Sequence, residues 1–232
     1  LVMEYLAGET LEELMRREVL VPLQETLQIA EQIASVLHEA HEHGIVHRDL
    51  KPENIMLVMR AGQAGVVKVM DFGLARGEIG REARTAAMDF GTRRYMAPER
   101  ILDGEAGARS DVYSLGATFL EILTGTRFDA LPVRQGEFKR ALAERIEEVR
   151  ELEEQWSVTG ISPLLGHLLA YAPEDRFSAQ EAERLGKVRL LIGAEPTPST
   201  EMAFRQPGDP KEPEKTERQV ASVLDSQTNA LK

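Results

Sequence analysis

Eight consecutive residues, His47-Arg48-Asp49-Leu50-Lys51-Pro52-Glu53-Asn54, constrain this chain more than any other stretch. They set a carboxylate, an ammonium, a guanidinium and an amide between a helical pattern and a strand pattern, and end on an oxygen donor of the divalent-cation type. So much polar function in one connection points to chemistry rather than packing. Before it, Leu23, Leu27, Ala30, Ala34, Leu37 and His41 recur at three- and four-residue steps, which predicts a helix with one face toward a core. Pro22 suits its first turn and Gly44 its C-terminal cap. After it, residues 55–58 and 66–69 read as short strands joined by the turn Ala61-Gly62-Gln63-Ala64-Gly65. That hairpin places Asn54 before its first strand and Asp71 after its second, so both polar side chains come to the same end of the pair.

The rest of the chain reads as mostly helical. Residues 1–6 are strand-like and break at Ala7-Gly8, after which Thr10 suits the N-cap of a short helix beginning Leu11-Glu12-Glu13. Residues 76–88 show no periodicity and predict a loop, long enough to favour function over linkage. A helix beginning at Ser110-Asp111 and stopped by Thr124-Gly125 is apolar on nearly all sides, as expected of one buried inside a helical domain. Phe138, Leu142, Ile146, Val149, Leu152 and Trp156 form a stripe on the charged stretch 137–156, read as a solvated amphipathic helix. Ser162-Pro163 opens another helix, and Ser178-Ala179-Gln180-Glu181 is a capping box for a last one ending near Ile192. His38, His41 and His43 share a helical region, but without Cys or a fourth ligand nearby they read as surface or helix-end histidines.

With 232 residues, 42% hydrophobic, the chain can bury one sizeable core. The Pro-rich, charged stretch 194–232 lacks the apolar content to offset ordering entropy and predicts no fixed structure. A net charge of -11 opposes nonspecific binding to nucleic acid or an anionic membrane. The absence of Cys excludes disulfides and thiolate metal sites. No run is apolar and long enough to span a bilayer, which with the lack of a signal pattern gives a cytoplasmic expectation. Because Leu1-Val2-Met3-Glu4-Tyr5 is strand-like from its first residue, the sequence reads as a fragment that begins inside a fold.

Three phrases in order, residues 47–54, Asp71-Phe72-Gly73 and Tyr95-Met96-Ala97-Pro98-Glu99, resemble the catalytic loop, metal-binding triplet and activation-segment end of the protein kinases. The compact phrasing is similar to bacterial kinases of the eukaryotic type. The resemblance implies a protein serine/threonine kinase using ATP and Mg2+, or Mn2+ in its place. It covers the hinge and large C-terminal lobe, residues 1–193, mainly α with a small β-hairpin, with the small lobe absent and a tail at 194–232. By the same resemblance, Asp49 orients the substrate hydroxyl and takes its proton, and Lys51 meets the γ-phosphate. Asn54 and Asp71 hold the metal, Asp71 also reaching the nucleotide phosphates. Lys51 and the Gly91-Thr92 pair mark the serine/threonine class, Thr92 standing beside Asp49 and Lys51, although Arg93 stands where that class usually has Pro.

The resemblance assigns further roles. Met3, Glu4 and Leu6 correspond to the gatekeeper and hinge, the Glu4 carbonyl and Leu6 amide bonding adenine, with Met56 as its floor. Arg48 would bind an activation-loop phosphate, for which Thr85 is the expected acceptor. Glu99 would pair with Arg176, and Asp111 would cap its own helix while accepting the amides of the His47 and Arg48 turn. Phe72, ahead of Gly73, would pack beneath the loop. No Gly-x-Gly-x-x-Gly occurs in these 232 residues, so the chain alone is expected to be inactive and to need the small lobe of the same polypeptide. The expected partners are proteins bearing Ser or Thr, with no nucleic acid and no membrane segment within this chain. The competing reading is a non-catalytic kinase-like binding or regulatory module, which the intact set Asp49, Lys51, Asn54 and Asp71 opposes.

Overall fold

The computed structural model describes residues 6–18, 20–60, 63–72, 93–104 and 106–183. Expectations that fall on other residues, including the strand over 1–5, the loop over 76–88, the end of the last helix and the tail, lie outside the described residues. The order is β1 (Gly8–Thr10), α1 (Leu11–Arg17), α2 (Leu23–Glu42), a 3-10 turn (Pro52–Asn54), β2 (Ile55–Arg60) and β3 (Gln63–Val69). There follow α3 (Pro98–Leu102), α4 (Ala108–Thr124), α5 (Gln135–Trp156), α6 (Ile161–Leu168), a second 3-10 turn (Pro173–Asp175) and α7 (Ala179–Glu183).

The sheet is antiparallel in the order β1-β2-β3, with Gly8 opposite Val58 and Ile55 opposite Val69. Two expectations change here. The strand over 1–6 does not include Leu6, and a strand forms where Ala7-Gly8 reads as a break. A Cβ on Gly8 would lie 2.1 Å from the Leu57 carbonyl oxygen, so this glycine admits a close backbone approach instead of ending an element. The hairpin strands also run longer than 55–58 and 66–69, because pairing continues past an irregularity between Val58 and Arg60 to join Arg60 with Gln63.

Capping chemistry starts α1. The Glu13 amide donates to Thr10 Oγ1 at 3.2 Å, and Glu13 Oε2 accepts the Thr10 amide at 2.8 Å. Pro22 stands at the N-cap of α2, one place before the first turn, where its carbonyl accepts the Thr26 amide. Leu27, Ile29, Ala30, Ile33, Ala34 and Leu37 are the buried apolar face of α2, and Gly44 turns the chain away at φ +70°.

Helix α4 is the centre of the core: every residue from Ser110 to Leu123 is buried. Gly116 lets it approach the segment around α6, since a Cβ there would meet Leu168 Cβ at 2.8 Å. Helix α5 departs from its predicted stripe. Phe138 and Val149 are buried, but Leu142, Ile146, Leu152 and Trp156 are only half-buried, and the third buried residue is Glu153. Its carboxylate accepts the Ile161 amide and the Ser162 hydroxyl, each at 2.5 Å, and so caps α6 from a neighbouring helix. The Ser178 box is present, with Ser178 Oγ accepting the Glu181 amide and Glu181 Oε2 accepting the Ser178 amide. Among the described residues no helix is long and apolar enough to cross a membrane.

Candidate active site

The turn between α2 and the hairpin is built around Asp111, on the first turn of α4. Its side chain is 2% exposed, and an unpaired carboxylate there would be costly. Three donors satisfy it: the His47 amide on Oδ2 at 2.7 Å, the Arg48 amide on Oδ1 at 2.8 Å, and His41 Nε2 on Oδ2 at 2.9 Å. The expectation that Asp111 also caps its own helix is not met. Gly107 is the N-cap of α4, with its amide donating to Ser110 Oγ, and Asp111 is committed to the loop. Arg48 adopts φ +69°, a conformation disfavoured for a residue with a Cβ, and its amide is one of the groups that Asp111 holds.

His47 is fully buried and fixes the next step of the chain. Its Nε2 bonds the Met70 carbonyl at 2.8 Å, which can only accept, so Nε2 carries the hydrogen and Nδ1 accepts the Asp49 amide at 3.1 Å. Phe72 lies edge-on to the ring at a centroid distance of 4.7 Å. His47 thus ties the residue before Asp71 to the residue that carries the Asp49 carboxylate.

Asp49, Lys51 and Asn54 converge. Lys51 Nζ is 3.4 Å from Asp49 Oδ2, and Asn54 Nδ2 donates to the Asp49 carbonyl at 2.8 Å and reaches Asp49 Oδ2 at 3.4 Å. Asp49 Oδ1 is buried with no hydrogen-bond partner, an acceptor held in reserve beside an ammonium. Because the Asn54 side-chain Nδ2 is spent on Asp49, the side-chain Oδ1, distinct from the backbone carbonyl, is the group left to act as a hard ligand. The hairpin brings Asp71 to the same end: Ile55 pairs with Val69, and the Met70 amide donates to the Asn54 carbonyl at 2.8 Å. Asp71 is exposed and left-handed at φ +55°. One amide oxygen, from Asn54, and one carboxylate, from Asp71, fit a magnesium ion whose remaining ligands are phosphate and water, and no group of three His, Cys, Asp or Glu residues among the described residues forms an all-protein cage.

Buried Arg176 and half-buried Glu99 form a second, separate centre. Arg176 spends all five N–H donors: two on Glu99 at 2.7 and 2.8 Å, and three on the carbonyls of Ala170, Arg109 and Tyr171. Burial pushes the Glu99 carboxyl up, but the Arg176 hydrogen bonds and charge, with the Ser110 hydroxyl, outweigh it and leave the group below its ordinary range. Nearby, Tyr95 donates to buried Glu121 at 2.7 Å, and burial followed by that hydrogen bond raises the phenol.

Of the other expected site residues, Leu6 is half-buried just before β1, and Met56 is half-buried on β2 opposite Thr10 and Lys68. Met3, Glu4, Gly73, Thr85 and Thr92 lie outside the described residues. His41 stands in the last turn of α2, as a helix-end histidine should, but it is not a surface residue: its side chain is 10% exposed and bonded to Asp111. Its place on the apolar stripe of α2 is the signal in the sequence that it faces inward.

Residues 1–185 match the protein kinase domain family. The chain is 35% identical over 204 residues to the serine/threonine-protein kinase PknB of Mycobacterium leprae (strain TN), covering 84% of this chain and 31% of the relative. It is 39% identical over 131 residues to the serine/threonine-protein kinase pkn3 of Myxococcus xanthus, covering 54% of this chain and 24% of that one. The chain therefore spans about a third or less of these relatives. Among solved structures, the Mycobacterium tuberculosis PknI kinase domain superposes with a TM-score of 0.55 at 25% identity, covering 80% of this chain and 64% of that one. With a helical body, a three-stranded sheet and a domain match over most of its length, the chain belongs to the protein kinase family.

Proposed function

We propose that this chain carries the hinge and large lobe of a protein serine/threonine kinase that transfers the ATP γ-phosphate to Ser and Thr hydroxyls of proteins. The observation that carries the reading is the meeting of Asp49, Lys51 and Asn54 within one turn, with a buried Asp49 oxygen unpartnered. The names of the relatives and the 64% coverage of a solved kinase domain support it. We assign 1–193 to the kinase domain and 194–232 to a tail. Phosphoryl transfer by a protein kinase also requires a glycine-rich loop and a Lys and Glu pair, so activity is a property to be measured on the full-length polypeptide. The reaction needs ATP, which places it on the cytoplasmic side.

The protein family uses ATP and Mg2+, and the donor types of Asn54 and Asp71 fit the metal. Bound magnesium would neutralise charge on the phosphates as the γ-phosphoryl group moves. Asn54 and Asp71 are the residues that would hold it. Asp49 orients the attacking hydroxyl and accepts its proton while the new O–P bond forms and the bond to the β-phosphate oxygen breaks. Lys51, already beside Asp49, offers its ammonium to the transferred group, so the carboxylate and the phosphoryl charge share one cation. Leu6, with Glu4 and Met3, would meet adenine above Met56. Arg48 is exposed at a left-handed turn, and by the family resemblance it would bind a phosphate on Thr85, with Thr92 assigned a role beside Asp49 and Lys51.

The test is phosphorylation of a generic protein substrate by the full-length polypeptide and its Asp49→Asn variant, with identification of the phosphorylated residues. A fall of about 100-fold or more in kcat and label on Ser or Thr are expected. Equal activity of the two proteins, or label on Tyr alone, contradicts the reading.

A further inference from the structure

Beside the catalytic turn lies a cavity of about 300 Å³ that the mechanism leaves unused. Pro52 and Glu53, the residues directly after Lys51, form part of its lining, and Arg94, Tyr95 and Glu121 form another part. A peptide advances about 3.3–3.6 Å per extended residue, so a substrate side chain within a few positions of the phosphoacceptor reaches this cavity.

Charges of both signs line it, and they differ in commitment. Glu12 is paired with Arg16 and Glu18 with Arg17, each at 2.7 Å. The acids withdrawn from water are Glu53 and Glu121. Glu121 is 8% exposed and has the Tyr95 hydroxyl on one oxygen at 2.7 Å, while Glu53 Oε2 is buried with no hydrogen-bond partner. Carboxylates so placed call for a cation. Arg127 also lines the cavity but is exposed, where water and salt screen it. Arg94 is half-buried, its guanidinium lies over the Tyr95 ring at 5.3 Å from the centroid, and its Nη1 is shut off from water.

Building on the kinase reading, we infer that Arg94 is a specificity-determining residue: it supplies from within the chain the cation that this cavity calls for, and so turns away substrates with Arg or Lys at the position that enters it. An incoming guanidinium meets acids already countered and a like charge beside them, so the discrimination comes from a repulsive group. Without Arg94, Glu53 and Glu121 would take that positive charge from the substrate.

The experiment uses the full-length polypeptide and its Arg94→Gln and Arg94→Lys variants on Ala-rich Thr peptides in which a single Arg is moved through the positions on either side of the Thr. The kcat/KM of each peptide is compared with that of the Arg-free parent. Wild type and Arg94→Lys should gain no more than about threefold from Arg at any position. Arg94→Gln should favour Arg by about tenfold at one or two positions, through KM, and adding Glu53→Gln should remove most of that gain. If Arg94→Gln does not fold, Arg94→Met replaces it, since its unbranched apolar stem still covers the Tyr95 ring. An Arg94→Gln profile that matches wild type overturns the inference, as does a gain spread evenly over all positions or one that Glu53→Gln leaves intact. Where no peptide is phosphorylated, binding of the same peptides, read by fluorescence anisotropy, decides the role of Arg94. Absence of activity on any protein substrate would count against the kinase reading alone.

Discussion

Asp111 and Glu99 are both carboxylates withdrawn from water, but the partners that neutralise them differ in kind. Asp111 is met by two backbone amides of one turn and by a histidine, whereas Glu99 is met by a guanidinium and a hydroxyl. Backbone donors on Asp111 mean that its position dictates where the chain runs from His47 to Asp49. Side-chain donors on Glu99 mean that its pairing joins α3 to the segment after the Pro173–Asp175 turn. The first arrangement governs geometry at the site, and the second governs cohesion of the helical body.

If that division is right, breaking the second centre should cost stability first. Arg176→Met removes five hydrogen bonds and leaves Glu99 with the Ser110 hydroxyl, and should destabilise by about 3–5 kcal/mol in urea unfolding. A loss below about 1 kcal/mol would break the comparison. The same centre sets an acid limb. Because the folded Glu99 carboxyl lies below its ordinary value, the pair stabilises fully above about pH 4.3, and that contribution is lost as pH falls through the depressed value. Wild-type stability should therefore drop below about pH 4, and Arg176→Met should flatten that drop; identical acid limbs would contradict the pairing. A smaller effect sharpens the point: Ser110→Ala takes one donor from Glu99 and one acceptor from Gly107, costing about 1 kcal/mol with kcat unchanged.

The two centres were not equally legible in the sequence. Periodicity locates α2 and α4, and the hairpin pattern puts Asn54 and Asp71 at one end of the strand pair. Local capping was legible too, because Thr10 with Glu13 and Ser178 with Glu181 are three residues apart. Long-range partners were not. A helical stripe shows that His41 faces inward but not that it meets a carboxylate seventy residues away. Glu153 reads as one more charge on a solvated helix until the Ile161 amide is seen to end on it. Strand β1 has three residues and begins with Gly, so it carries neither length nor β propensity, and its pairing with β2 alone creates it.

The most direct test of the division is Asp111→Asn in the full-length polypeptide, with kcat, both KM values and thermal midpoint measured on the same preparation. An amide in place of the carboxylate keeps the volume but offers one acceptor where two successive backbone amides need two. A fall in kcat of about 100-fold, with the midpoint lowered less than in Arg176→Met and the KM values within about twofold, is the predicted result. A variant that keeps wild-type kcat, or that loses activity only in proportion to unfolded protein, would contradict a carboxylate that fixes the catalytic turn.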